Sequence, residues 1–519
     1  MMYDYVIVGG GSAGCVLAAR LSEDGDVTVC LIEAGPKDTA PDIHVPAKGK
    51  TLIRTEIDWR YDSSEPFCDN RTIYQPRGRV LGGTSSFNGM IYIRGNGLDY
   101  DSWCKPGWSY GELLPYFKRA EDNERGASKY HGVGGPLSVS DNRSRYPMSD
   151  AFIAAAINAG YPANDDFNGA AQDGFGYYQV TQREGRRCSA AVAYLHPAME
   201  RPNLTIETGV QVHRVIMTDG RATGVTGRRA GSDVTVEARR EVILAAGAYN
   251  SPQLLMLSGI GPADQLTSLG LPVIVDHPFV GQNLQDHPQF WLVYAYSHPA
   301  SPASVVERQF TEQHSGPLTS NGPEVGGFIR TRGDLAAPDF QFVALPVKPG
   351  FGDRKDLMIA FGAFMLQPRS QGSVTLASND PTAKPRIRHN YYAVEDDLRA
   401  MPDGVRAALD IAKQPALALY TGEPVSVPAS DSDADIRKFL RQTTESAFHA
   451  VGSCAIGLVT DTELRVLGVD GLRIADASVM PRVISGNTNA ATIAIAEKAA
   501  DLIRGMAPLP SAVGAAVGS

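Results

Sequence analysis

The stretch "YDYVIVGGGSAGCVLAARLSEDGDVTVCLIEAG", residues 3–35, decides the fold of the first part of this chain. "YVIVG" predicts a short buried strand, "SAGCVLAARL" predicts a helix, and "VTVCLIE" predicts a second strand that ends at Glu33. Gly9, Gly11 and Gly14 form a G-x-G-x-x-G pattern between the first strand and the helix. This order of elements is typical of a dinucleotide-binding domain.

The glycines and the acidic residue have separate tasks in such a unit. Glycines permit a tight turn and allow the backbone to approach a pyrophosphate at the helix N-terminus. A carboxylate placed like that of Glu33 accepts hydrogen bonds from a ribose diol. A lone glycine pattern also occurs in ordinary turns, but here all the elements follow in order. The stretch therefore predicts a dinucleotide site, and by itself it leaves NAD and FAD open.

Composition excludes several classes of function. The chain has 519 residues, which is long enough for two domains. Its formal net charge of −9 argues against nucleic acid or an anionic membrane as the main partner. No run of 18 apolar residues predicts a transmembrane segment, and no export signal is visible at the N-terminus. We therefore expect a cytoplasmic protein, either free or peripheral to the inner membrane.

The six cysteines are scattered and have no metal-ligand spacing. This distribution predicts reduced thiols and no metal site.

Further motifs extend over nearly the whole chain. Two of them are "GRVLGGTSSFNGMIYIRGN" (78–96) and "GAYNSPQLLMLSGIG" (247–261). Four more are "PNLTIETGVQVHRVI" (202–216), "VGQNLQDHP" (280–288), "FHAVGSC" (448–454) and "LRIADASVMPRVISGNTNAATIAIAEKAADLI" (472–503). Together they resemble the glucose–methanol–choline (GMC) flavin oxidoreductases, in the order usual for that family. Within it, the stretches at 161–199 and 315–328 resemble bacterial sorbose, choline and polyethylene-glycol dehydrogenase-like members most.

The resemblance implies an α/β plus antiparallel β protein. A Rossmann-type FAD-binding domain would carry a substrate domain built on a mixed or antiparallel sheet. The implied FAD domain comprises residues 1–155, 190–290 and 450–508, and the substrate domain comprises 156–189 and 291–449. The small residues and prolines of 509–519 predict a flexible tail.

The resemblance also implies bound FAD. The residues that it implies for the cofactor are Gly9, Gly11, Ser12, Ala13, Gly14, Glu33, Ala34, Gly78, Val80, Gly83, Thr84, Ser85, Asn88, Gly89, Met90, Val212, Asp476, Ala477, Thr488 and Asn489. Without the resemblance, the glycine-rich part of this set would predict an ordinary surface loop. Some members attach FAD covalently through a histidine at the position of Phe87, so noncovalent binding is implied here.

A helix is predicted from about residue 490 to Arg504, with Gly505 at its end. Its N-terminus carries partial positive charge. Aimed at the pyrimidine edge of a flavin, it would favour the anionic reduced ring. The alternative is a helix that only covers the sheet, and both can hold.

His449 has two interpretations. By itself, a histidine between Phe448 and Ala450 predicts a structural side chain. The resemblance implies instead that His449 is the general base that takes the hydroxyl proton of an alcohol, and an ordinary histidine pKa of about 6.5 suits this task. The second catalytic position falls on Asn487, with Asn489 as the alternative.

The other nine histidines, among them His213, His277 and His287, show no metal-ligand spacing and predict structural or solvated roles.

The resemblance implies FAD-dependent oxidation of a primary or secondary alcohol to the carbonyl compound, with hydride transfer to flavin N5. Three alternatives remain open: a lyase of the hydroxynitrile-lyase type, an oxidase of aryl or furfuryl alcohols rather than a sugar or polyol dehydrogenase, and a flavin-binding protein without catalysis. The electron acceptor stays open among oxygen, a quinone and a carrier protein.

Overall fold

The computed structural model describes residues 1–296, 303–347 and 357–512. Its helices are α1 (Ser12–Leu21), α2 (Gly97–Ser102), α3 (Tyr110–Ala120), α4 (Pro147–Asn158), α5 (His196–Ala198), α6 (Gly247–Leu257), α7 (Ala263–Ser268), α8 (Ala303–Gln313), α9 (Glu395–Ala412), α10 (Asp433–Thr443) and α11 (Asn489–Arg504). Its strands are β1 (Met2–Val8), β2 (Val29–Glu33), β3 (Tyr61–Glu65), β4 (Arg71–Gln75), β5 (Glu121–Asn123), β6 (Leu137–Val139), β7 (Gly174–Tyr177), β8 (Gln182–Arg183), β9 (Arg186–Arg187), β10 (Leu204–Thr208), β11 (Gln211–Thr218), β12 (Arg221–Arg229), β13 (Ser232–Leu244), β14 (Ile260–Gly261), β15 (Val275–Asp276), β16 (Pro288–Tyr296), β17 (Val325–Ile329), β18 (Phe340–Val347), β19 (Leu357–Met365), β20 (Ser373–Thr375), β21 (Arg386–Arg388), β22 (Pro424–Ser426), β23 (Glu445–Ser446) and β24 (Leu472–Ile474).

The first large sheet has seven strands and a parallel core. Its order is β10-β2-β1-β13-β12-β11, and β24 pairs with β13. β1 pairs in parallel with β2 and β13, and α1 makes the crossover from β1 to β2. The strands β1 and β2 are almost wholly apolar because helices cover both faces of a parallel sheet. The predicted strand–helix–strand unit is therefore present.

Helix α11 packs beside α1, and a buried carboxylate ties both to α3. Glu497 of α11 is fully buried and forms ion pairs with Arg20 of α1 at 2.9 Å and with Arg119 of α3 at 2.7 Å. These bonds join the last turn of α1 and the middle of α11 to α3. The N-terminal ends of α1 and α11 meet where Ser12 Oγ donates to Asn489 Oδ1 at 2.7 Å.

The second large sheet also has seven strands and is antiparallel. Its order is β22-β16-β19-β18-β17-β7, with β23 paired to β16. One face carries a separate apolar core in which Phe361 of β19 stacks on Phe152 of α4 at 5.3 Å. Helix α9 packs into the same core. Together the two sheets confirm the predicted α/β plus antiparallel β fold class.

The boundaries of the two domains remain a proposal, with one adjustment. The prediction assigned residues up to 155 to the cofactor domain, but α4 buries Met148, Phe152 and Ala155 in the core of the antiparallel sheet. We therefore place the first boundary before Pro147.

The structure also differs from the prediction at the start of the tail. Leu509 N donates to Tyr116 Oη at 3.1 Å, and Ala512 N donates to Gly111 O at 2.9 Å. Residues 509–512 are thus held against α3. The prediction missed this because composition alone does not reveal such contacts. Residues 513–519 of the predicted tail lie outside the described part of the chain.

The described part of the chain contains no helix long and apolar enough to cross a membrane. Each of the six cysteines is a free thiol.

Candidate active site

A cavity of about 1470 Å³ lies between the two large sheets and is lined by residues of both. It is larger than an ordinary ligand pocket of roughly 300–1,000 Å³, so it has room for a cofactor and a second molecule. Most of the predicted site residues line it, namely Gly9, Gly11, Ser12, Ala13, Glu33, Ala34, Gly78, Gly83, Thr84, Asn88, Gly89, Met90, Val212, His449, Asp476, Ala477, Asn487, Thr488 and Asn489.

Three of the predicted cofactor residues do not line the cavity. Gly14 packs the start of α1 onto the end of β1, and a Cβ there would lie 1.8 Å from Gly9 O. Val80 is fully buried in a small apolar cluster. Ser85 Oγ is used within the fold, since it donates to Gly82 O at 2.6 Å and accepts from Ala190 N at 2.9 Å. We therefore assign these residues to the scaffold of the site.

The turn between β1 and α1 forms a cradle of exposed backbone. Gly9 adopts φ +106°, which only glycine takes readily, and a Cβ on Gly83 would lie 2.7 Å from Gly11 Cα. No side chain caps the start of α1, so its first N–H groups are available. A pyrophosphate fits such a site.

Glu33 is held rigidly at the end of β2. Its carboxylate is buried and accepts hydrogen bonds from Gly10 N and Gly35 N, both at 2.8 Å. Burial raises the pKa of the carboxyl to about 7, although these backbone bonds oppose the shift. The oxygens have further acceptor capacity toward the cavity, as a ribose diol requires.

We expect Glu33→Gln to raise the dissociation constant of FAD by about 10- to 100-fold, because the NH₂ group that replaces one carboxyl oxygen cannot accept hydrogen bonds from the backbone or from a ribose hydroxyl. Titration of the apoprotein with FAD, followed by flavin fluorescence, measures this. Replacement of the exposed Glu56 by glutamine is the matched control. Unchanged FAD affinity in Glu33→Gln would show that the ribose site lies elsewhere.

His449 lies in a chain of hydrogen bonds that runs in one direction. His287 Nε2 donates to Leu366 O at 3.1 Å, so Nδ1 of a neutral His287 is an acceptor. His449 Nδ1 lies 2.9 Å from that atom and is therefore the donor. This leaves the unprotonated Nε2 of His449 facing Asn487 Nδ2 at 3.0 Å. The protein thus fixes the tautomer in which Nε2, at the cavity, is the basic nitrogen.

The Asn487 amide is oriented by a glutamine of the antiparallel sheet. Gln341 Nε2 donates to Asn487 Oδ1 at 3.0 Å and lies 3.3 Å from Tyr178 Oη. With its oxygen occupied, Asn487 presents its NH₂ group to His449 and to the cavity. The alternative, Asn489, points its amide oxygen at Ser12, so the structure brings Asn487 to His449 and leaves Asn489 at the start of α1.

The backbone at His449 is held by the buried carboxylate of Asp286. Asp286 Oδ1 accepts from His449 N at 2.7 Å. Asp286 Oδ2 accepts from Tyr391 Oη at 2.5 Å and from Ser446 Oγ. Burial alone would raise the pKa of Asp286, but His389 and these donors outweigh burial and lower it. The neighbouring Phe448 adopts φ +66°, a strained value for an aromatic residue, which these bonds help to maintain.

The electrostatic surroundings favour the neutral form of His449. Burial lowers its pKa to about 3, and His287 and Arg77 act in the same direction while Asp286 opposes them. Burial likewise lowers the pKa of His287 to about 4. The imidazole is therefore neutral at neutral pH, and its Nε2 carries no proton.

His287 and Arg187 are site residues that the sequence analysis missed. The structural part of the expectation for His287 holds, since it is fully buried, but it also contacts His449 directly. Arg187 is buried and donates to Asn88 O at 2.8 Å, to Asn88 Oδ1 at 3.0 Å and to Ser85 O at 3.2 Å. The sequence offers a signal for His287 alone, in the quoted "QDHP" motif.

The described residues contain no cluster of histidine, cysteine, aspartate and glutamate that could hold a metal ion. A dinucleotide cradle that shares one cavity with a buried, neutral histidine is the arrangement of a cofactor-dependent oxidoreductase.

Comparisons with known proteins agree. The GMC oxidoreductase family matches residues 3–289 with its N-terminal domain and 368–496 with its C-terminal domain. An oxygen-dependent choline dehydrogenase of Paraburkholderia phymatum is 44% identical, over 98% of this chain and 93% of the relative. The mitochondrial choline dehydrogenase of Mus musculus is 41% identical, over 97% and 89%. The crystal structure of a pyridoxine 4-oxidase from Mesorbium loti superposes with a TM-score of 0.89 at 31% identity, over 97% of this chain and 100% of that one. The chain belongs to the GMC oxidoreductases, and it is accordingly an FAD-binding enzyme that acts on CH–OH donors.

Proposed function

We propose that this enzyme oxidises a primary or secondary alcohol to the carbonyl compound, with His449 as the general base. The observation that carries this proposal is the hydrogen-bond chain that leaves Nε2 of His449 unprotonated at the cavity. Bound FAD would supply the redox chemistry by accepting a hydride at N5.

Each residue then has a defined task. His449 Nε2 removes the hydroxyl proton, so that the carbon–hydrogen bond can release its electron pair as hydride and the C=O bond can form. Asn487 Nδ2 donates to the substrate oxygen and stabilises the negative charge that develops there. Phe364 packs edge-on against the imidazole, with ring centroids 5.4 Å apart, and shields it from water.

The start of α11 supports the reduced cofactor in this proposal. Thr488 is its N-cap and makes no side-chain capping bond, so the first N–H groups of α11 face the cavity that Thr488, Asn489 and Thr492 line. The partial positive charge of that end would stabilise an anionic reduced ring.

The experiment is anaerobic mixing of the purified enzyme with a panel of alcohols. Bleaching of the flavin absorbance by an alcohol, with release of the matching carbonyl compound, supports the proposal. A flavin that stays oxidised while substrate is cleaved would indicate a lyase. Oxygen is the acceptor to add first, because the bacterial relative is named oxygen-dependent, followed by quinone and dye acceptors.

The FAD is proposed to be noncovalent. Phe87 occupies the position of covalent attachment and lines the cavity, and a phenyl ring cannot form the bond that a histidine nitrogen forms. We therefore expect acid or heat to release intact, yellow FAD into the supernatant. Flavin that remains with the precipitated protein would contradict this.

The pH dependence follows from the shifted pKa. The base must be unprotonated, so the rate of flavin reduction rises with pH through the pKa of His449 and is level above it. Since that pKa lies well below 6.5, we expect the rate to be on its plateau at about pH 6. Stopped-flow reduction with a saturating uncharged alcohol, from about pH 5 to pH 9, tests this. An inflection above pH 7 would show that another group, or a His449 with an ordinary pKa, limits the step.

A further inference from the structure

The cavity is lined by both basic and acidic side chains, and their positions decide whether a bound cation finds a counter-ion. Among the described lining residues, the basic side chains are Lys50, Arg77 and Arg145, and the acidic ones are Glu33 and Asp476. Arg77 lies close enough to His449 to lower its pKa.

Both acidic residues are already committed to the fold around the dinucleotide cradle. Glu33 accepts from Gly10 N and Gly35 N. Asp476 accepts from Gly247 N at 2.8 Å and from Ser251 Oγ at 2.6 Å, at the turn that leads into α6. Neither carboxylate is a counter-ion for a molecule beside His449.

One further carboxylate lies beside the wall of the cavity, because Glu445 of β23 pairs with Gln289 of β16. Glu445 interacts with the Trp291 indole and with Lys50, does not line the cavity, and has a carboxyl pKa that burial raises. Its carboxylate is therefore engaged by Trp291 and Lys50 and is not one of the groups that line the cavity.

The wall itself is one face of the antiparallel sheet. Gln289 and Trp291 stand two residues apart on β16, Val343 lies on β18, and Phe364 is opposite Gln289 on β19. The Trp291 indole lies over Gly362, where a Cβ would meet it at 2.5 Å. Apart from Gln289, this wall is aromatic or aliphatic.

Gln289 is the polar exception on this wall. The residue is 6% exposed, and no side-chain hydrogen bond among the described residues involves its amide. A buried amide that lines a cavity without a protein partner is available to a bound molecule. As a neutral group, it offers hydrogen bonds and no net charge.

We propose that this site selects uncharged alcohols with an aromatic or branched apolar body over cationic ones such as choline, and that the selection holds because the side chain at position 289, the neutral Gln289, supplies no counter-ion. The proposal rests on the proposed alcohol oxidation. An ammonium group moved from water into such a pocket without a counter-ion loses much hydration energy, and attraction to the aromatic wall recovers only part of it.

The experiment compares choline with its carbon isostere, in which a tert-butyl group replaces the trimethylammonium group. The two alcohols have nearly the same shape and differ in charge. We expect the isostere to reduce the flavin of the holoenzyme anaerobically with a ratio of limiting rate to dissociation constant at least about tenfold above that of choline. Benzyl alcohol is the aromatic probe and should also exceed choline.

Substitutions then locate the source of the selection. Gln289→Glu adds a carboxylate at nearly constant volume and is expected to shift the ratio toward choline by at least about tenfold. Gln289→Met, the matched uncharged control, should leave the choline-to-isostere ratio unchanged. Glu445→Gln should also leave it unchanged, because Glu445 is not the counter-ion.

The outcomes separate the two proposals. Reduction by choline at least as efficient as by the isostere overturns the selection for uncharged alcohols, while the proposed alcohol oxidation stands. A loss of choline reduction in Glu445→Gln would name the counter-ion and overturn the role of Gln289. If no alcohol of the panel reduces the flavin, the proposed function itself fails, and the selection with it.

Discussion

His449→Ala is expected to slow anaerobic flavin reduction by about 10²–10⁴-fold, the usual contribution of a general base. The variant should still fold, because the bond from residue 449 to Asp286 uses the backbone N–H, which alanine retains. It should also still bind FAD, since the cradle at Gly9 and Gly11 lies on β1 and α1. Stopped-flow reduction with the best alcohol of the panel measures the effect before any electron acceptor takes part.

Two further measurements separate a base from a structural histidine. Raising the pH should recover part of the lost rate in His449→Ala, because more of the alcohol is then ionised without help. Asn487→Ala should slow the same step, whereas Asn489→Ala should affect it less, because that amide bonds to Ser12. Reduction of His449→Ala at the wild-type rate would mean that the hydroxyl proton leaves by another route.

Local patterns predicted the elements that depend on neighbours in sequence. The helix "SAGCVLAARL" has the predicted bounds, Ser12–Leu21, because glycines before it and apolar residues within it decide its start and its buried face. Glu33 ends β2 as expected. Helix α11 begins at Asn489, within one residue of the predicted start, and ends at Arg504. Gly505, which follows it, adopts the left-handed conformation that the sequence indicates for the end of this helix.

Contacts between distant segments could not be predicted in this way. His287 and His449 are 162 residues apart, and their segments meet through the pairing of β16 with β23 and the bridge between Gln285 and Val451. No periodicity in the sequence encodes that contact. The family resemblance supplied the identity of His449, but the partner that fixes its tautomer had to come from the structure.

The charge state of His449 could not be predicted from the sequence for the same reason. An ordinary histidine pKa of about 6.5 was the starting expectation. The shift depends on burial and on the positions of Arg77 and of the adjacent pair Asp286 and His287, which lie far from His449 in the sequence. Likewise, the backbone of Phe448 has φ +66°, although nothing in its neighbours in sequence predicts this value.

Asp286→Ala is expected to have the largest effect on stability. It removes the acceptor of three donors, namely His449 N, Tyr391 Oη and Ser446 Oγ, and it leaves them buried without a partner. Loss of one member of a buried, charged network costs on the order of 3–5 kcal/mol of unfolding free energy. His389, whose Nε2 lies 4.0 Å from Asp286 Oδ2, also loses its neighbouring charge.

The measurement for Asp286→Ala is thermal unfolding at a fixed FAD concentration, since bound ligand itself shifts the transition. Asp286→Asn, which keeps the shape and one acceptor oxygen, should fall between Asp286→Ala and wild type. The exposed Asp264 provides the matched control, and Asp264→Ala should change stability by no more than about 0.5 kcal/mol. Since Asp286 also holds the backbone beside Phe448, we expect flavin reduction in the folded fraction of Asp286→Ala to slow at saturating alcohol. An Asp286→Ala protein as stable as Asp264→Ala, with unchanged flavin reduction, would show that the backbone at His449 is held without the carboxylate.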